Sequence, residues 1–219
     1  MENKMINVNV EKVTEAFNLH KKIIDRYITG ERKVKVLSMI DTIGEENYAL
    51  APASGKLWYH GAYPGGYLVH VNTVVRYALE QKNLYEKLGG SIDFTEEELV
   101  FSALFHDLGK VGDGEKINYL PQTQEWFRKN KQEMFVNNPD LDFMLVPDRS
   151  LFVLQKFGIS VTQKEYLAIK LHDGMFDDSN KAYFVSFSPD SKLKSSIVPI
   201  LHAADYLASK LEFDLEQKK

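Results

Sequence analysis

Apolar residues recur along most of the chain at spacings of three and four residues, the period typical of amphipathic helices. The clearest example begins at Gly66, where Tyr67, His70, Val71 and Val74 share one predicted helix face. The same period predicts further helices over residues 8–28, 31–43 and about 196–211. Helices therefore dominate the predicted secondary structure.

Two further helices carry clear start signals. Thr95 followed by Glu98 forms a capping box, in which a threonine hydroxyl and a glutamate side chain satisfy the first free backbone N–H groups. Thr162 and Glu165 repeat this spacing and predict a helix that ends near His172.

The remaining segments look irregular. Residues 113–147 and 174–195 contain some helix near 123–132 and short strands in "AYFVSF" (182–187). We expect an all-α fold with irregular loops and at most a short β-hairpin. No linker divides residues 1–219, so we expect a single domain.

Composition narrows the class of protein. The 219 residues are 44% hydrophobic, carry a net charge of −4 and include no cysteine, which excludes disulfides, zinc–thiolate sites and thiol catalysis. The first residues are polar, and no run approaches the roughly 20 apolar residues that a membrane helix needs. We expect a cytoplasmic protein with no membrane partner. Because the basic residues are scattered, we expect a small ligand rather than long nucleic acid, and the oligomeric state stays open.

Several polar residues occupy predicted apolar faces. Asp107 shares a face with Val100 and Ala103, and Asp205 lies with Leu201 and Ala204. A buried, unpaired carboxylate costs several kcal/mol, and a divalent cation held with histidine compensates it directly. A single histidine on an apolar face is more often a hydrogen-bonded core residue, and a single aspartate is often a cap or half of an ion pair. Spacing alone leaves both explanations open.

The motifs around these residues resemble the HD-domain metal-dependent phosphohydrolases. The resemblance comprises a histidine in "YPGGYLVHVNTVV" (His70), the pair in "LFHDLGK" (His106 and Asp107) and the aspartate of "ILHAADYLA" (Asp205). The segments "HGAYPGGYLVH" and "EYLAIKLHDGMFD" extend it. It covers residues 48–211 as the HD core and leaves residues 1–47 as an N-terminal helical extension.

The resemblance implies that His70, His106, Asp107 and Asp205 bind one divalent metal ion in a helical bundle. Such an ion, whether Mn, Fe, Ni, Co, Zn or Mg, activates a water that attacks phosphorus. It also implies that Lys110 faces the phosphate, although a solvated helix lysine is the common alternative. Gly109 either lets the backbone run close to the site or ends the helix.

The chain departs from the family pattern at the second metal site that some members have. His172 matches one of its ligands, but residues 146–148 offer no histidine, so this site looks weakened unless Asp148 substitutes. We expect one well-held metal ion, with room for a second bridged by Asp107. His172 is then a substrate contact, a proton donor, a ligand of the weaker site, or a helix-end histidine without function.

Other polar residues are weaker candidates. We place His60, Arg149 and His202 at the substrate, although His202 equally fits a packing role and Arg149 equally fits a protein ion pair. Asp173 is a proton shuttle or a solvated helix end. His20 is expected to be structural or exposed. The aromatic residues Trp58, Tyr59 and Tyr63 near His60 are more typical of a core, with a place for one of them in the wall of a nucleoside pocket as the alternative.

The leading functional hypothesis is a phosphohydrolase that acts on a nucleotide or a similar small phosphate ester. A 3′-end exonuclease or phosphodiesterase on short nucleic acid is the closest alternative. A catalytically idle HD domain that binds a nucleotide is the alternative from another class, and the intact set His70, His106, Asp107, Asp205 and Lys110 disfavours it.

Overall fold

The computed structural model describes residues 8–185, 190 and 192–218. Helices dominate these residues, which confirms the predicted all-α class. The helices are α1 Val10–Tyr27, α2 Gly30–Ile43, α3 Glu45–Leu50, α4 Gly66–Lys87, α5 Glu96–Phe105, α6 Glu125–Asn130, α7 Val146–Lys156, α8 Gln163–Leu171, α9 Lys181–Phe184 and α10 Ile197–Gln217. Three 3₁₀ turns lie at Leu108–Lys110, Gly174–Phe176 and Asp178–Asn180.

The described part of the chain also contains two short strands. β1 (Tyr119–Pro121) pairs antiparallel with β2 (Phe135–Asn137), with Leu120 opposite Val136. The strands predicted in "AYFVSF" are wrong for its first residues, which form α9, and residues 186 and 187 lie outside the described residues. Propensity alone overestimated strand at residues 182–185, because none of the described strands pairs with them.

Helix α4 lies at the centre of the bundle and packs against α1, α5 and α10. It is buried on more than one face, which explains why its apolar stripe is wide. Removing these apolar side chains from water is the main stabilising contribution to the fold. The residues that α4 and α10 bury include Tyr67, Leu68, Val71, Val74, Ala78, Ile197, Leu201, Ala204 and Ala208.

The N-terminal helices cover this core. Phe17 and Ile24 of α1 and Met39 of α2 belong to the same apolar cluster as α4 and α5. His20 of α1 is fully buried, with Nδ1 3.1 Å from Asn72 Oδ1 and Nε2 3.0 Å from Tyr48 Oη. Burial lowers the pKa of His20 to about 4, so it is a neutral structural residue. Of the two roles that the sequence allowed for His20, the structure shows the structural one.

Both predicted capping boxes are present. Thr95 Oγ1 accepts from Glu98 N at the start of α5, and Thr162 Oγ1 accepts from Glu165 N at the start of α8. Helix α5, however, ends at Phe105, so His106 and Asp107 lie at its C-terminal end rather than inside a helix. The 3₁₀ turn that follows packs on the start of α7, and a Cβ on Gly109 would lie 2.4 Å from Val146 O. Gly109 therefore allows this close backbone approach.

Helix α10 continues to Gln217, beyond the predicted end near Leu211. The extension places Glu212 on the face that Asp205 occupies, two turns further along. None of the helices that the structure describes has the length and apolar character needed to cross a membrane.

Candidate metal centre

Four residues from three helical segments converge on one point. His70 comes from α4, His106 and Asp107 follow α5, and Asp205 comes from α10. His70 Nε2 lies 3.0 Å from Asp205 Oδ1 and 3.5 Å from Asp107 Oδ2. His106 Nε2 lies 3.5 Å from Asp107 Oδ2 and 3.7 Å from Asp205 Oδ1. The structure thus brings together the four residues that the sequence proposes as metal ligands.

The two imidazoles present free nitrogen atoms to this point. The Nε2 atoms of His70 and His106 are buried and make no hydrogen bond of acceptable geometry, despite the nearby carboxylates. Buried polar atoms are nearly always satisfied, so two such nitrogens beside two carboxylates require an explanation. A divalent cation accepts exactly this donor set of imidazole nitrogen and carboxylate oxygen. The cluster can hold a metal ion.

The opposite nitrogen of each imidazole is engaged by the protein. His106 Nδ1 donates to Ala103 O at 2.9 Å, and His172 Nδ1 donates to Ile169 O at 2.8 Å. His70 Nδ1 lies 3.0 Å from Glu212 Oε2, a buried carboxylate. Such partners fix the ring orientation and leave Nε2 for a ligand.

Glu212 did not emerge from the sequence analysis. The signal was available, because Glu212 lies seven residues after Asp205 and therefore two helical turns along the same face. Because the last helix was predicted to end near Leu211, Glu212 was not assigned to the helix face that carries Asp205. Glu212 is thus a buried residue of the described cluster that the sequence analysis missed.

Charges at the cluster are strongly coupled. Burial acts to lower the pKa of His70, but the Glu212 and Asp205 carboxylates outweigh it and raise the pKa to about 9. Burial is likewise outweighed at His106, where Asp107 and Asp205 raise the pKa to about 10. In the metal-free protein, protons on the imidazoles therefore balance the carboxylates, and a cation would replace them.

The carboxylates respond in the opposite direction. Burial acts to raise the pKa of Asp107, but the charges of Lys110 and His106 hold it well below its usual range. Burial also acts to raise the pKa of Asp205, but the nearby imidazoles of His106 and His70 hold it well below its usual range. Lys110 Nζ lies 2.6 Å from Asp107 Oδ2. Both carboxylates are therefore ionised and ready to bind a cation.

His172 extends the cluster towards solvent. Its Nε2 lies 3.6 Å from Asp107 Oδ1 and 3.5 Å from Asp173 Oδ2, and the neighbouring charge of Asp173 raises its pKa against the effect of burial. Asp107 thus presents Oδ2 to His70 and His106 and Oδ1 to His172, which is the arrangement of a bridging carboxylate. Asp148 does not supply a second-site ligand, because its carboxylate binds Lys170 Nζ at 2.7 Å.

The cluster forms the floor of a cleft of about 470 Å³, a size typical of small-molecule sites. Asp107, Lys110, His172 and Asp205 line this cleft, as do the predicted substrate contacts His60 and His202. The arrangement places a lysine and several imidazoles where a ligand would enter.

His60 and His202 differ in what they offer a ligand. His60 stacks near His70 with 4.4 Å between ring centroids, and its buried Nε2 has no hydrogen-bond partner. Burial, followed by the charges of His70 and Lys110, lowers the pKa of His60 to about 3, so the ring is neutral. His202 Nδ1 lies 2.6 Å from His172 O, which leaves only its Nε2 side for a ligand.

The placement of Arg149 at the substrate is wrong. Its guanidinium is buried and donates to Asn118 Oδ1, to Gly109 O at 3.4 Å and to Asp142 O at 2.9 Å. It does not line the cleft. The packing of α7 on the 3₁₀ turn directs the Arg149 side chain to Asn118 and to backbone carbonyls instead.

The expectation that the aromatic residues near His60 belong to the core is wrong for two of them. Trp58 is 47% exposed and Tyr59 is 59% exposed, and both line the cleft. They lie in the glycine-rich loop between α3 and α4, whose turns carry them to the surface.

Comparisons of this chain with protein-family models, with curated proteins and with solved structures found no match. The functional argument therefore depends on the motifs in the sequence and on the geometry of the cluster.

Proposed function

We propose that this protein is an HD-type, metal-dependent phosphohydrolase that hydrolyses a phosphate ester of a nucleotide or a similar small molecule. The observation that carries the proposal is the pair of unpartnered Nε2 atoms, on His70 and His106, which face two ionised carboxylates at the floor of an open cleft. Metal-free structural roles rarely leave such atoms unsatisfied.

The cluster assigns distinct tasks to its residues. His70, His106, Asp107 and Asp205 would hold one divalent cation. Such a cation supplies a Lewis acid and lowers the pKa of a coordinated water. Asp107 and Asp205 line the cleft, so a cation held by these residues would be accessible to a ligand there.

Lys110 supplies positive charge for the substrate. Its ammonium group lies on the cleft surface, and the neighbouring Asp107 carboxylate raises its pKa, so it is protonated. A phosphate that enters the cleft meets this charge beside the cluster. A fixed ammonium there stabilises the negative charge that develops on the phosphoryl oxygens.

His172 is placed to hold or transfer a proton at Nε2, because its Nδ1 hydrogen is donated to Ile169 O. Asp173 connects this nitrogen to solvent, since its side chain is 43% exposed. The same two residues, with Asp205, form the group that would hold a weaker second cation.

A combined assay tests this function. The protein is freed of metal with a chelator, loaded separately with Mn²⁺, Co²⁺, Ni²⁺, Zn²⁺ and Mg²⁺, and incubated with a nucleotide panel and with short labelled RNA and DNA. We expect release of inorganic phosphate or a nucleoside product from a small substrate with at least one metal. Shortened oligomers without turnover of small substrates would instead favour the exonuclease alternative.

Two variants provide the controls. Asp205→Ala removes a proposed ligand, whereas Asp148→Asn changes a carboxylate that binds Lys170 outside the cleft. We expect Asp205→Ala to abolish turnover and Asp148→Asn to retain it. Binding of nucleotide without any turnover by the metal-loaded wild-type protein would favour the catalytically idle domain.

A further inference from the structure

Exposed aromatic residues surround the opening of the cleft. Phe176 is 77% exposed and Tyr206 is 42% exposed, and together with Trp58 and Tyr59 they line the cleft that contains Asp107 and Asp205. We call these four residues the aromatic rim. Large exposed apolar groups that gather in one place mark binding sites more often than chance surface positions.

Two rings of the aromatic rim are stacked on each other. Phe176 and Tyr206 are stacked with 5.9 Å between ring centroids and 9° between ring planes. Tyr206 therefore backs one side of the Phe176 ring, and the 77% exposure of Phe176 leaves the rest of that ring's surface open to a ligand. A planar ligand can stack against such a surface without any hydrogen bond.

The local backbone fixes this surface in place. Gly174 has a φ of +55°, and a Cβ at this position would lie 2.5 Å from the ring of His202. The 3₁₀ turn Gly174–Phe176 can therefore lie against His202 only because residue 174 is glycine. Buried Asn180 donates to Gly174 O at 3.0 Å and holds the turn from the other side. Phe176 is exposed but anchored, as a preorganised contact should be.

Positive charge accompanies the aromatic surface. Lys210 lies one helical turn after Tyr206, with its Nζ 5.2 Å from the ring centroid, and it lines the same cleft. Lys110 lies at the floor beside Asp107. A ligand that suits this cleft has a flat aromatic part for the rim and anionic groups for the lysines and the metal cluster.

We propose that Phe176 and Tyr206 form a stacking platform for the nucleobase of a nucleoside phosphate. The position of the phosphate at the metal cluster rests on the proposed function, whereas stacking of the base does not require catalysis. Because stacking uses the ring face and no base edge, the platform accepts all bases and favours the larger purines.

Equilibrium binding tests this platform without turnover. AMP and ribose 5-phosphate are titrated calorimetrically into the protein in the presence of EDTA, since the two ligands differ by the base alone. We expect AMP to bind about tenfold more tightly, as one base–aromatic stack provides. Equal affinity of the wild-type protein for the two ligands would overturn the platform.

Substitutions test whether Phe176 is responsible for the tighter binding of AMP. Phe176→Ala should weaken AMP binding about tenfold and change ribose 5-phosphate binding less than about twofold, and Phe176→Tyr should restore AMP binding. Phe143→Ala is the matched control, because Phe143 is 88% exposed and lies outside the cleft. A loss of AMP affinity in Phe143→Ala equal to that in Phe176→Ala would contradict the assignment.

The binding experiment separates the two proposals. If the metal-loaded protein hydrolyses no phosphate ester but Phe176→Ala still loses AMP affinity selectively, the phosphohydrolase function fails and the platform stands. If the protein hydrolyses ribose 5-phosphate as efficiently as AMP and Phe176→Ala affects both equally, the platform fails and the phosphohydrolase function stands.

Discussion

The two His–Asp pairs of this protein have nearly the same local structure and very different surroundings. His106–Asp107 follows α5, and His172–Asp173 follows α8. Each helix begins with a capping box, and each ends at a histidine whose Nδ1 donates to the carbonyl three residues earlier. A 3₁₀ turn follows each pair.

The two pairs differ in how deeply the aspartate is buried and in which charged groups surround it. The Asp107 side chain is 4% exposed and lies among imidazoles and a lysine, whereas the Asp173 side chain is 43% exposed and lies beside His172. The difference arises because α4 packs against α5 and brings His70 to the first pair. A repeated local motif therefore gives a repeated backbone, while the tertiary contacts decide which carboxylate lies among several buried imidazoles.

The largest expected effect comes from removing one carboxylate of each pair. Asp107→Ala should reduce bound metal from about one ion per chain to well below one, because it removes the ligand between three imidazoles. Asp173→Ala should leave the tightly held ion in place. Elemental analysis of both purified variants checks this, and full occupancy in Asp107→Ala would show that the site is misplaced.

Substitution of Asp107 should also reduce enzymatic activity more than substitution of Asp173. We expect Asp107→Ala to lower kcat by at least about a thousandfold, and Asp173→Asn to lower it by about tenfold through the proton at His172. Steady-state kinetics on the substrate that the panel identifies measures both. A larger loss in Asp173→Asn than in Asp107→Ala would reverse the comparison.

Metal removal should change how stability depends on pH. The pKa values of His70 and His106, raised to about 9 and about 10, exceed the unfolded value of about 6.5. Their contribution to the free energy of unfolding is therefore complete below pH 6.5 and disappears as pH rises through the folded pKa values. We expect the metal-free protein to lose on the order of a few kcal/mol between pH 6.5 and 10.

The metal-loaded protein should show the opposite trend, because a cation must displace up to two protons from these imidazoles. Its affinity for metal should rise with pH and level off above the raised pKa values. Urea denaturation with and without metal, at several pH values, measures both trends. Parallel pH curves for the two forms would contradict the account of the cluster.

A smaller effect is expected from the carboxylate behind His70. Glu212→Gln should weaken metal binding about 10- to 100-fold, because the amide holds the ring of His70 less firmly than the carboxylate. Glu216→Gln is the control, since Glu216 lies one turn further along α10 and accepts from Gly61 N at 3.0 Å. Competition titration with a chromophoric chelator measures the affinities. Equal metal affinity of the wild-type protein and Glu212→Gln would show that Glu212 does not contribute to metal binding.

Much of the fold could be predicted from periodicity and capping. The capping boxes that begin at Thr95 and Thr162 each depend on two residues three positions apart. They could therefore be predicted from the local sequence alone. The faces that carry His70 and Asp205 follow from the 3.6-residue period in the same way. These signals also pointed to the residues that the structure gathers at the cluster.

The predictions that were wrong concern features that tertiary contacts determine. The end of α5 at Phe105 reflects the packing of Gly109 on α7, and Arg149 binds backbone carbonyls that only this packing brings near. Trp58 and Tyr59 are exposed because the loop before α4 turns outward. No local pattern records such contacts between residues that are distant in the sequence.

The most direct test of the metal cluster is anomalous diffraction from crystals of the protein grown with Mn²⁺, with data collected at the manganese absorption edge. We predict one strong peak within coordination distance of His70 Nε2, His106 Nε2, Asp107 and Asp205. Absence of a peak there, with the four side chains bonded only to protein groups, would contradict a metal centre and the phosphohydrolase function built on it.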